Sequence, residues 1–111
     1  MSDCYQVSTT IDSESAAGRI AEILVAERLA ACVQVVGPLR SVYRWEGAVT
    51  QATEWLCVAK TGEAGLPALL SRLRAVHSYQ LPEIVAVPIT GGDPGYLEWL
   101  RQESTPRTEL P

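Results

Sequence analysis

Apolar residues recur every three or four positions in some stretches of this chain and alternate or run together in others, and that change of period divides it. Between Ser13 and Ala30, one face carries Ala16, Ala17, Ile20, Ile23 and Leu24, and the other carries Ser15, Arg19 and Glu22, which predicts an amphipathic helix. Ser13 is suited to cap it, and Glu14 falls in the first turn, where the helix dipole favours an acid. Leu66, Leu69, Leu70, Leu73 and Val76 mark a second helix, with Pro67 in its opening turn. Asp93 and Pro94 open a short third, with apolar contacts from Tyr96, Leu97, Trp99 and Leu100. Cys4 to Thr10 and the apolar run Ile84 to Ile89 read as strands, the latter buried.

The stretch from Ala30 to Thr61 predicts two long strands folded back at Glu46-Gly47. Each arm holds roughly fifteen residues, against the ~5–6 of an ordinary strand. At ~3.3 Å per residue an arm reaches ~45–50 Å, longer than a compact domain of this size is wide. Such a ribbon either bends, for which Gly37-Pro38 supplies a site, or has its outer half covered by another subunit. Trp55, Cys57 and Ala59 alternate with Leu56 and Val58 on the return arm, so that strand is apolar on both faces. The order β-α-β-β-α-β plus a C-terminal helix is that of an α+β, ferredoxin-like sandwich, an antiparallel sheet with two helices on one face.

Composition narrows the classes of function. The 111 residues are 47% hydrophobic and 20% charged, ordinary for one domain, here residues 1–103 with a fraying tail over 104–111. The formal net charge of −4 and the lack of any Lys/Arg run argue against a nucleic-acid partner. No stretch approaches the ~18 apolar residues of a membrane span, and the start carries no signal-like pattern. Three cysteines without a CxxC spacing fit neither a disulfide framework nor a structural zinc site, so a cytoplasmic setting is expected.

His77, the single histidine, follows the second helix. It reads either as a dipole-favoured helix-end residue or, with Glu83 six residues on, as half of a site for a borderline divalent ion such as Cu²⁺ or Zn²⁺. No GxSxG, phosphate-cradling loop, HExxH or nucleophile–base–orienter set is present, which argues against an enzyme. Tyr43, Trp45, Glu46, Trp55 and Tyr79 gather around the ribbon and the loop after the second helix, as subunit-interface anchors or as the walls of a ligand pocket.

The residues Leu29-Ala30-Ala31-Cys32-Val33, Ser41-Val42-Tyr43, Trp45-Glu46-Gly47, Glu54, Lys60-Thr61, His77-Ser78-Tyr79, Pro82-Glu83-Ile84 and Tyr96-Leu97-Glu98-Trp99 resemble, in this order and spacing, the CutA family of divalent-cation tolerance proteins. The resemblance covers Val7 to Trp99. It implies a homotrimer, built like PII-type signalling proteins, whose ribbon extends a neighbour's sheet. It also implies a link to copper and other divalent ions, with weak cation binding at His77 and Glu83, no required cofactor and no catalysis. A signalling or scaffold trimer with an effector or partner protein in its inter-subunit clefts is the alternative. Ile11, Gln34 and Ser78 depart from the family pattern, as does Ser8, which stands where some members place a cysteine. An acylphosphatase-like hydrolase on the same fold would want an Arg-bearing loop after the first strand, and Ser8 to Ser13 has neither Arg nor Gly.

Overall fold

The computed structural model describes residues 3–106. In chain order it contains β1 (Cys4–Ile11), α1 (Glu14–Ala26), β2 (Cys32–Trp45), β3 (Ala48–Gly62), a 3-10 turn (Glu63–Gly65), α2 (Leu66–Val76), β4 (Val85–Pro88) and α3 (Pro94–Glu103). One antiparallel sheet runs in the order β2-β3-β1-β4. The ferredoxin-like order expected from the periodicity is the one observed.

The core lies between the sheet and the paired helices. Val7 and Ile11 of β1 and Cys57 and Ala59 of β3 meet Ala17, Ile20 and Leu24 of α1 and Leu69 and Leu73 of α2. Register explains the match: Val7 sits opposite Ala59, and alternation sends both to the helix side. Both predicted caps form. Ser13 Oγ accepts from Ala16 N–H at 3.2 Å, and Asp93 Oδ2 accepts from Tyr96 N–H at 2.9 Å.

α1 stops at Ala26, short of the expected Ala30. Arg28 takes a left-handed φ of 60°, and the amides of Leu29 and Ala30 both turn back to Leu24 O. The Arg28 guanidinium donates to the carbonyls of Gln102 and Thr105, so the far end of the chain helps to fix this stop. The expectation of a fraying tail from Ser104 is corrected at its first residue. Ser104 is fully buried, its Oγ accepting from Gly62 N–H and donating to Leu100 O. The rest of that expectation, from residue 107, lies outside the described residues. β4 is also corrected. It is a short edge strand beside β1, and Val85 and Val87 are nearly half exposed rather than buried.

The ribbon is present in full. Trp45 pairs with Ala48 across a two-residue loop in which Glu46 and Gly47 have φ of 50° and 81°, the primed-turn geometry that matches strand twist. The pairing shifts register between Val36 and Leu39, at a cis Gly37-Pro38 bond. A Cβ on Gly37 would lie 2.5 Å from Trp55 Cδ1, so glycine lets the indole pack directly over the backbone of the neighbouring strand. The molecule measures 47 × 36 × 22 Å, and the long dimension is close to the ~50 Å that fifteen strand residues span.

Candidate functional site

Where the ribbon leaves the helix-covered part of the sheet, the loop after α2 runs beside it and leaves a trough of about 810 Å³. Thr10 and Asp12 close one end, Tyr43 and Trp45 stand on the ribbon, and Tyr79 to Glu83 form the loop side. A volume of this size suits a small molecule. Three carboxylates, Asp12, Glu54 and Glu83, line it, and none of its described wall residues is Arg or Lys.

His77 builds this trough without lining it. The ring is buried, with 8% of its surface exposed. Its Nε2–H donates to Thr10 O at 2.9 Å, and Nδ1 accepts from Tyr79 N–H at 3.1 Å. A carbonyl can only accept and an amide can only donate, so the ring is the neutral tautomer with its proton on Nε2. Both nitrogens are then committed, and no lone pair is left for a cation. The structure places the expected His77–Glu83 pair apart in role: Glu83 lines the trough, whereas His77 ties the end of β1 to the loop after α2. Among the described residues no group of three or more His, Cys, Asp or Glu side chains is placed to hold a metal ion.

The aromatic set divides in the same way. Tyr43 and Trp45 remain well exposed on the ribbon, as does Glu46 at its turn. Trp55 and Tyr79 already pack against the chain's own core, so neither is a simple surface anchor. Tyr79 also donates its hydroxyl to Glu54 Oε2 at 2.7 Å and lies 4.8 Å from the His77 ring, centre to centre. Its pKa is raised, first by burial and then by the Glu54 carboxylate, so the phenol remains a donor at any physiological pH.

Glu54 is the residue that sequence reasoning passed over as a site candidate. Only 6% of its surface is exposed, and its carboxylate accepts a hydrogen bond from the Tyr79 hydroxyl. The signal lay in the alternation of β3, where an acid occupies the row of Leu56 and Val58. The thiols offer no nucleophile here. Burial pushes Cys57 up to about 11, and Cys32 contacts Tyr96 Oη at 3.7 Å, away from the trough.

A four-stranded antiparallel sheet in the order β2-β3-β1-β4 under two helices, with a long ribbon, defines a small α+β protein of the ferredoxin-like class. Residues 5–103 match the family model of the CutA1 divalent ion tolerance protein, and the chain belongs to that family. It is 48% identical over 98 residues to the divalent-cation tolerance protein CutA of Thermus thermophilus, covering 88% of this chain and 95% of that one. It is 43% identical to the chloroplastic CutA 1 of Oryza sativa, of which it spans 55%. Among solved structures, the Thermus thermophilus protein superposes with a TM-score of 0.88 at 46% identity, covering 91% of this chain and 98% of that one. The Oryza sativa CutA1 crystal structure gives 0.89 at 41%, covering 96% and 97%. Relatives are thus named for the chloroplast and, in Archaeoglobus fulgidus, for the periplasm. Among the described residues no helix is long and apolar enough to cross a membrane.

Proposed function

We propose that this chain works as a non-catalytic homotrimer in tolerance of divalent cations, copper among them, in a reducing cytoplasm. The observation that carries the trimer is the ribbon. Val42 and Val49 on one face of the ribbon and Tyr43 and Trp45 on the other are exposed in the single chain, large apolar side chains of the kind a subunit interface buries. The names of the relatives carry the link to cations. Weak cation contact is assigned to Glu83 with Asp12, both of which line the trough, and His77 would join only if a metal displaced the Tyr79 amide from Nδ1. The odd cysteine count, with free thiols at Cys32 and Cys57, favours a reducing compartment.

Sedimentation equilibrium at micromolar concentration is expected to give three times the 12.0 kDa chain mass, and a monomer would overturn the trimer. Calorimetric titration with Cu²⁺ is expected to show weaker binding by Glu83→Gln than by the native protein. Equal heats would remove Glu83 from the account. The size of the trough supports a second reading, a PII-like trimer that binds a small effector.

A further inference from the structure

A ring of three cannot be closed by one patch meeting itself. Each contact in a cyclic trimer is heterologous, so every chain must carry two different and complementary patches. The ribbon and the trough supply such a pair. Strand alternation divides β2 beyond its bend, with Tyr43 and Trp45 on one face and Arg40, Val42 and Arg44 on the other. Tyr43 and Trp45 line the chain's own trough, and the two arginines do not. Arg40 and Arg44 are exposed, and neither makes an ion pair with any described residue.

The trough has the opposite sign. Asp12, Glu54 and Glu83 line it, and none of its described wall residues is basic. Asp12 and Glu83 are exposed, and neither forms an ion pair with a described residue. The charges of Glu54 and Asp12 meet at one point: after burial, both hold the proton on the Tyr79 hydroxyl. A guanidinium entering here meets carboxylates and the π-faces of Tyr43 and Trp45, surroundings that suit arginine. We propose that Arg40 and Arg44 on the ribbon of one copy dock in the trough of the next, against Asp12 and Glu83, and that this contact closes the ring. The proposal rests on the homotrimer reading and gives the trough a protein occupant in place of a small effector. A divalent cation then competes with the arginines for Asp12 and Glu83.

The test is sedimentation equilibrium of the full chain over a dilution series. Asp12, Arg40, Arg44 and Glu83 are all exposed in the single chain, so their substitution leaves the fold in place, which far-ultraviolet dichroism checks. Arg40→Glu with Arg44→Glu sets acid against acid and is expected to raise the concentration of half-dissociation about hundredfold or more. Adding Asp12→Lys and Glu83→Lys to that variant restores opposite charges and is expected to regain at least about tenfold. Arg40→Gln with Arg44→Gln removes the charge without adding repulsion, and the expected shift is smaller, about fivefold. An unchanged midpoint in the charge-reversed variant would overturn the contact, as would a loss that the two lysines do not recover. A native protein that is monomeric at micromolar concentration would defeat the trimer itself. A native trimer indifferent to the charge reversal defeats this pairing alone.

Discussion

At its inner end β3 buries Cys57, Ala59 and Thr61 under α1 and α2, and Thr61 Oγ1 donates to Leu29 O at 2.7 Å. Earlier on the same strand, Val49 is 68% exposed and pairs only with β2. Backbone conformation is alike at both ends; what differs is that Trp55 to Gly62 also pair with β1, whereas Ala48 to Glu54 pair with β2 alone, and that helices cover only the inner end. The inner half has helices against it, and the outer half has only its hairpin partner. An isolated two-stranded ribbon is marginal in water, so the outer half depends on something beyond its own chain in a way the inner half does not. The trough, with Glu54 as its buried acid, sits where one regime gives way to the other.

The contrast can be broken most forcefully from the inner side. Leu24→Ala empties a fully buried position and is expected to cost about 2–5 kcal/mol of folding free energy in denaturant titration. A loss below 1 kcal/mol would mean that the helix layer is not what holds the sheet. Trp45→Ala probes the outer side. It is expected to cost about 2 kcal/mol in subunit association on dilution while leaving the far-ultraviolet dichroism of the chain intact. A variant that stays fully assembled would show that the ribbon is not the clasp.

His77→Ala tests the junction. It strands Thr10 O and Tyr79 N–H, so a loss of about 1–3 kcal/mol is expected, with faster hydrogen exchange at the Tyr79 amide. Unchanged exchange there would separate the ring from the loop. The smallest effect belongs to the exposed Arg72–Glu27 pair, bidentate at 2.9 Å. The Arg72 hydrogen bonds hold the Glu27 carboxyl below its usual 4.5. Its contribution is therefore present above pH 4.5 and fades as the pH falls through the lower folded value. Glu27→Gln should flatten the acid limb of stability only slightly, as expected of a screened surface pair.

How much of this was legible in the sequence depended on the range of the interaction. The caps at Ser13 and Asp93, the Glu46-Gly47 turn and the face of α1 follow from neighbours a few residues apart, and periodicity reads them directly. The stop of α1 at Ala26 depends on Arg28 reaching carbonyls more than seventy residues away, which no local pattern encodes. Ser104 reads as tail because the partner that ties it to the sheet, Gly62, lies 42 residues away. The candidate site was half legible. Tyr43, Trp45, Tyr79 and Glu83 were named and do line the trough. Residue type alone leaves His77 as either a helix-end residue or a ligand, and the structure engages its ring through a carbonyl on β1. Glu54 was invisible as a site because burial of an acid is a tertiary fact.

The Glu46-Gly47 turn also has a consequence in time. The pairings nearest it, beginning with Trp45 and Ala48, join residues close in sequence, and hairpins form in about 1–10 μs. The β1–β3 pairing must instead close a loop from Cys4 to Gly62, which is entropically slower. The chain therefore displays its longest strand pair, edges unpaired, before the rest of the sheet exists to govern what joins it. Refolding yield should fall as protein concentration rises, and the chain's own partner-seeking surface would set the limit.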